Sequence, residues 1–232
     1  MILEHFTMKD SFGRNIDYMR ISITDRCNLR CKYCMPDGVE SLARWEILSL
    51  EEIEAIAICA AGLGISRIKV TGGEPLVRRD CCQLVKLLKS IPGIEKVTIT
   101  TNGVLLDRYL EPLLEAGIDG INISLDTLDP CMYEKITGFD RLACVMKTIE
   151  RSPGLPVRVK INAVSIDFSS MDGEGCSGPG GSWWKELVEL TGRYPVDVRF
   201  IEMMPIGYGK QFKTINHKEL LEEMHREYPG LA

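Results

Sequence analysis

Histidine is scarce in this sequence of 232 residues: there are three. They stand at His5, His217 and His225, too far apart for metal-ligand spacing, which leaves them cap or surface roles. An excess of positive charge is missing too. Against 33 acidic residues there are 28 basic ones, a formal net charge of -5; this argues against a broad nucleic-acid surface and leaves room for a local basic pocket around an anionic ligand. The first ten residues, Met1 to Asp10, lack a basic start followed by an apolar core, so no secretory signal is read there. The most apolar stretch, around Ile53–Ile65, is interrupted by Glu54 and by glycines well short of a membrane-spanning length. Outside Cys27, Cys31 and Cys34 the cysteines form no CxxC pair, and beyond an alternation of strands and helices no repeat of fixed period is present. Ala61-Gly-Leu-Gly-Ile-Ser66 closes a helix instead of opening one, so it is no dinucleotide fingerprint, and Gly207-Tyr-Gly-Lys210 lacks a P-loop context. These absences point to a cytosolic chain with neither membrane nor nucleic-acid partners. With no linker in sight, residues 1–232 are expected to form a single domain.

What is present is an alternation of short strands and longer helical patterns, the signature of βα units and a parallel sheet. Strands are expected at Tyr18–Thr24, Ser66–Thr71, Lys96–Thr101, Gly120–Asp126, Val157–Val164 and Val196–Glu202. The first helix has a capping box of Ser49 with Glu52, an apolar face of Ile53, Ile56, Ala57, Ala60 and Leu63, and Gly64 as its breaker. Further helices are expected at Asp80–Ser90, Asp107–Ala116 with its first turn disturbed by Pro112, Pro130–Arg151 broken near Gly138, Trp183–Arg193 and His217–Glu227. Ile166–Ser182, rich in Gly and Ser, reads as a mobile surface loop.

The strands do not read as the continuous apolar runs of a sheet buried on both faces. Ile21 and Ile23 alternate with Arg20, Ser22 and Thr24; Ile68 and Val70 with Lys69 and Thr71. The same pattern holds for Val97/Ile99 against Thr98/Thr100, Ile121/Ile123 against Asn122/Ser124, Val159/Ile161 against Lys160/Asn162 and Val198/Phe200 against Asp197/Arg199. Side chains alternate faces with period two, so one face packs under helices and the other is a polar concavity carrying Arg20, Lys69, Lys160 and Arg199. Such a face suits an anionic, phosphorylated ligand. Internal ion pairs, or plain exposure on an open sheet, remain the alternative.

Nine cysteines without a signal peptide read as reduced thiols and metal ligands, not as a disulfide framework. Three of them, in Cys27-Asn-Leu-Arg-Cys31-Lys-Tyr-Cys34, form a CxxxCxxC triplet directly after the first strand. A structural zinc site wants four ligands, whereas a cubane held by three thiolates leaves one iron open. The other thiols, Cys59, Cys81, Cys82, Cys131, Cys144 and Cys176, read mostly as small buried hydrophobes.

Together with Thr71-Gly-Gly-Glu-Pro75, the triplet resembles that of the radical S-adenosylmethionine (SAM) superfamily. The resemblance implies an open, partial TIM-type (βα)6 barrel of the α/β class and one 4Fe–4S cluster on Cys27, Cys31 and Cys34. It also implies SAM on the open iron, cleaved reductively to a 5′-deoxyadenosyl radical. Gly73 and Glu74 would bind the methionyl amine, Tyr33 would use its backbone near the adenine, Ser124 would contact the SAM carboxylate or ribose, and Met204 would pack on the adenine.

Several further segments, Asp10-Ser-Phe-Gly-Arg14, Arg20-Ile-Ser-Ile-Thr-Asp-Arg-Cys27, Tyr33-Cys-Met-Pro36, Leu76-Val-Arg-Arg-Asp80, Thr100-Thr-Asn-Gly103 and Val159-Lys-Ile-Asn-Ala-Val164, are similar to the GTP 3′,8-cyclase family of molybdenum cofactor biosynthesis. That resemblance implies a lyase whose GTP-binding positions fall on Arg20, Lys69, Thr100 and Lys160. It also implies an electron donor such as a flavodoxin or ferredoxin, and a homodimer is a further expectation. Two departures accompany it. The family's C-terminal segment, with three cysteines for a second cluster, does not follow before Ala232, and Ser165–Ser182 replaces a shorter connection. They leave two other readings: a radical SAM enzyme for a different anionic small molecule, and a truncated inactive paralogue that retains only cluster or partner binding.

Overall fold

The computed structural model describes residues 8–40, 42–167 and 183–230. Six strands, β1 (Tyr18–Ser22), β2 (Arg67–Thr71), β3 (Lys96–Thr101), β4 (Gly120–Ser124), β5 (Arg158–Ser165) and β6 (Val196–Glu202), form one sheet. Its spatial order, β1-β2-β3-β4-β5-β6, is the order in sequence, and every neighbouring pair is parallel. Among the described residues β1 and β6 pair on one side only, so the sheet is an open barrel. This is the partial (βα)6 architecture expected from the alternation of elements.

Helices follow the strands: α1 (Leu50–Gly62), α2 (Cys81–Ser90), α3 (Leu106–Glu115), α4 (Pro130–Thr137), α5 (Leu142–Arg151), α6 (Trp183–Arg193) and α7 (His217–Glu227). The α1 capping box forms as read, with the Glu52 N–H donating to Ser49 Oγ at 3.2 Å and the Ser49 N–H to Glu52 Oε2 at 2.8 Å. Its buried stripe is narrower than expected. Leu50, Ile53, Ala57 and Ala60 face the sheet, whereas Ile56 and Leu63 are 44% and 47% exposed. An i, i+3, i+7, i+10 stripe already fills the contact, and those two side chains fall beside it.

Helix α3 runs unbroken through Pro112. Proline there removes one helical hydrogen bond, but the fully buried Leu106, Leu110 and Leu113 hold the helix to the sheet. The expected break at Gly138 separates α4 from α5. Gly138 sits at φ 80°, a left-handed position that disfavours any side chain.

The two faces of the sheet differ as the alternation implied. Ile21, Ile68, Val70, Val97, Ile99, Ile121, Ile123, Val159 and Ile161 are buried under helices. The polar partners stand in rungs on the other face: Arg20 beside Lys69, Thr100 beside Asn122 beside Lys160 beside Asp197, and Ser124 beside Asn162 beside Arg199. The alternation fades at β6, where Val198 and Phe200 are only half-buried, as suits an edge strand. Among the described residues Cys81 alone of the scattered cysteines is buried; Cys82 and Cys144 are half-buried and Cys59 and Cys131 exposed, against the expectation of small buried hydrophobes. The Gly/Ser-rich loop from residue 168 onward, with Cys176, lies outside the described residues. So does His5.

Candidate active site

The loop from β1 to α1 carries Cys27, Cys31 and Cys34, and three neighbours fix its path. At its start, the turn after β2 lies against it: the Gly73 N–H donates to the Thr24 carbonyl at 2.7 Å and the Glu74 N–H to the Arg26 carbonyl at 2.7 Å. A Cβ on Gly73 would stand 2.3 Å from the Arg26 carbonyl oxygen, and one on Gly72 would stand 2.7 Å from that of Thr24. Both glycines therefore serve a close approach of backbone to backbone.

At the middle of the loop, the Arg30 and Lys32 N–H groups donate to the carbonyls of Thr137 and Ile136 at the end of α4, at 2.8 and 2.9 Å. Between Cys31 and Cys34 the chain turns tightly, with the N–H groups of Cys34 and Met35 both donating to the Cys31 carbonyl. The third anchor is a side chain. The Tyr33 hydroxyl donates to Asp126 Oδ2 at 2.7 Å, and Asp126 Oδ1 accepts from the Val164 N–H at 2.8 Å, linking the loop to the ends of β4 and β5.

Burial raises the pKa of all three thiols, most strongly at Cys31, which also feels Asp126, Cys27 and Cys34. Among the described residues, no three His, Cys, Asp or Glu side chains are gathered tightly enough to hold a single metal ion. The thiols nonetheless share one electrostatic neighbourhood. That combination fits a cluster, whose irons take one thiolate each, better than mononuclear zinc. A cavity of about 270 Å³ opens beside Cys27, bordered by Arg26, Arg30, Met35, Gly38 and Val39.

Glu74 is 1% exposed. Its Oε1 accepts from the Thr101 hydroxyl at 2.7 Å and the Leu76 N–H at 3.0 Å, and its Oε2 from the Asn102 N–H at 2.7 Å. Burial raises its pKa against these three donors. A carboxylate offers about four lone-pair sites, so most of Glu74's capacity is spent on ordering the turn. Ser124, at the end of β4, borders a cavity of about 30 Å³ with Cys31, Tyr33, Asn102 and Asp126. Met204, beyond β6, is 63% exposed, while its neighbour Met203 is buried.

On the polar face a cavity of about 230 Å³ is lined by Lys69, Thr98, Asn122, Lys160 and Arg199, among others. Arg20 and Thr100 share the face without lining this cavity. Asp197 Oδ2 pairs with two cations here, Lys160 Nζ at 3.2 Å and Arg158 Nη2 at 3.6 Å. Among the described residues no carboxylate pairs with Arg20, Lys69 or Arg199; Lys69 lies over the Tyr18 ring, and Arg199 donates to Asn122 Oδ1 at 3.1 Å. The expected cations thus share one face, with Asp197 beside Lys160 and Asp119 in the lining of the cavity.

Sequence reasoning assigned no role to Asn102, Asp126 or Asn162. Asn162 Oδ1 is buried without a partner on the polar face, and its place there was readable from the period of two. The contacts of Asn102 and Asp126 join segments far apart in the chain and left no local trace.

The Radical SAM superfamily model matches residues 21–172. The chain is 41% identical over 226 residues to a GTP 3′,8-cyclase of Clostridium perfringens strain SM101, covering 97% of this chain and 67% of that protein. To the GTP 3′,8-cyclase of Alkaliphilus oremlandii it is 42% identical, covering 96% and 68%. To molybdenum cofactor biosynthesis protein 1 of Drosophila melanogaster it is 42% identical, covering 96% and 38%. The chain thus spans about two thirds of the bacterial relatives' length. Among solved structures, Streptococcus suis SuiB bound to S-adenosylmethionine superimposes with a TM-score of 0.70 at 21% identity, over 91% of this chain and 48% of that one. The enzyme anSMEcpe with bound AdoMet and a peptide gives 0.59 at 19% identity, over 79% and 50%. At such identities these two likenesses speak for the fold.

Proposed function

The chain belongs to the radical SAM superfamily and, within it, to the GTP 3′,8-cyclase family, and on that premise we propose that it is a radical SAM enzyme acting on GTP. The observation that carries the reading is the docking of the Gly72-Gly73-Glu74 turn on the loop of Cys27, Cys31 and Cys34, at the carboxyl end of a sheet whose polar face is cationic.

In this reading Cys27, Cys31 and Cys34 each give a thiolate to one 4Fe–4S cluster. When bound, the cluster supplies the electron that cleaves SAM to a 5′-deoxyadenosyl radical. The turn at Gly73 and Glu74 receives the methionyl amine, and the buried Glu74 carboxylate holds that turn rigid and adds negative charge beside an ammonium. Ser124 hydrogen-bonds the SAM carboxylate or ribose, the Tyr33 backbone meets the adenine, and the exposed Met204 side chain closes over it. Arg20, Lys69 and Lys160 neutralise phosphate charge, and Thr100 adds a hydroxyl. Asp197 offers Lys160 one negative charge; a nucleoside triphosphate brings several and outcompetes it.

Residues 1–232 act as one radical SAM core. Reduced ligand thiols require a reducing compartment, the cytosol, and an external one-electron donor such as a flavodoxin or ferredoxin. The unpaired edges of β1 and β6 are suited to cover by a second copy in a homodimer or by further chain. No helix of the described residues is long and apolar enough to cross a membrane.

Anaerobic reconstitution followed by reduction tests the assignment of the thiols. The reading expects an EPR signal of a reduced 4Fe–4S cluster that Cys31→Ala abolishes. A chain that takes up no cluster, or a Cys31→Ala variant with an unchanged signal, contradicts it.

A further inference from the structure

Asn102 stands one residue beyond β3, with its backbone N–H and both ends of its side-chain amide engaged. Its backbone N–H donates to Glu74 Oε2 at 2.7 Å. Its Oδ1 accepts from the Val104 N–H at 3.1 Å, which fixes the orientation of the amide, because an N–H can only face the oxygen. The Nδ2 group must then point the other way. There it donates to Asn28 Oδ1 at 2.8 Å and to Cys27 Sγ at 3.8 Å. The Leu29 N–H, at 3.4 Å, is the other donor to the same sulfur.

The geometry points to Asn102 as a positioning residue that sets the reduction potential of the cluster through Cys27, an inference that rests on the cluster reading proposed above. A donor aimed at a thiolate withdraws charge from the sulfur and favours the reduced cluster, which carries one more electron. The site is partly buried, which strengthens the effect of a fixed dipole relative to water. Asn102 also couples two parts of the site. Glu74 holds the backbone N–H of Asn102 and the Asn102 amide meets the sulfur, so the turn assigned to the methionyl amine and the ligand thiolate are joined through one residue. The short loop between β3 and α3 leaves Asn102 little freedom to turn away.

A redox titration of the anaerobically reconstituted full chain, followed by EPR, tests this. Asn102→Asp is nearly isosteric and keeps an oxygen for the Val104 N–H, but it faces Cys27 with an acceptor in place of a donor. At the ambient potential where the unsubstituted cluster is half reduced, the ratio of reduced to oxidised cluster should fall about tenfold, which is about 59 mV for a one-electron couple. Asn102→Ala should move the ratio in the same direction by less, since water can supply a donor in the space left. Equal potentials in all three proteins, at equal iron content, would overturn the inference and leave the cluster reading standing. A folded Asn102→Asp chain that binds no iron would also overturn it, assigning the residue to assembly instead of tuning. An unsubstituted chain that takes up no cluster would sink the reading beneath it as well.

Discussion

Two buried carboxylates, Glu74 and Asp126, order the site, and burial pushes the pKa of both upward. For Asp126 the folded value is about 6 against 3.8 for the free carboxyl, despite the hydrogen bonds from Tyr33 and Val164 that favour its charged form. The folded protein therefore binds this proton more tightly than the unfolded chain does. The associated stability is fully present below about pH 4 and is lost as the pH rises through about 6. Asp126→Asn keeps an acceptor for the Val164 N–H and escapes that loss. Urea unfolding should find the variant similar to the original protein near pH 4 and more stable near pH 7; a gap that does not grow with pH would refute the assignment. Gly73 predicts the opposite sign. Its Cβ would meet the Arg26 carbonyl oxygen and carbon at 2.3 and 2.6 Å, both backbone atoms that cannot swing aside. Gly73→Ala should cost about 1–3 kcal/mol in urea unfolding and reduce the iron retained after reconstitution.

Elements were the most legible scale, because strands and caps are written locally. The six alternating segments became the six strands with boundaries shifted by a residue or two, and Ser49 with Glu52 formed its box. Since α1 enters none of the site contacts, Ser49→Ala should lower stability by about 1 kcal/mol and leave iron content unchanged. Losing the cluster along with the cap would show that α1 bears on the site after all. Less legible was anything that needed three dimensions. Which flank of α1 would be left bare depended on the width of the sheet contact, so Ile56 and Leu63 were misassigned to the core. The close approach of Gly72 and Gly73 to the backbone of Thr24, Asp25 and Arg26 likewise left no sign in the sequence. The site's polar contacts span long stretches of chain: 27 residues from Glu74 to Thr101, 75 from Cys27 to Asn102 and 93 from Tyr33 to Asp126. No period or local motif encodes pairings of that reach, although Glu74, Thr101, Asn102 and Asp126 stand at or just past the end of a strand, where open α/β sheets gather their sites.

Across the molecule, a net acidic chain keeps a cationic face inside its open sheet. The sequence showed the charges, and the sheet register brought them onto adjacent rungs. Lys160→Met should raise the GTP concentration needed for half-maximal turnover by about tenfold or more, the loss of one charge-assisted contact, with cluster EPR unaltered. An unchanged GTP dependence would remove Lys160 from the substrate site. The central claim, that this face presents GTP to chemistry begun at Cys27, Cys31 and Cys34, is tested most directly by 5′-deoxyadenosine production from SAM. The reconstituted, reduced chain is assayed with and without GTP. GTP is expected to accelerate SAM cleavage and to be consumed to a cyclised nucleotide, both lost in Cys31→Ala; SAM cleavage indifferent to GTP, with the nucleotide recovered intact, would contradict the account.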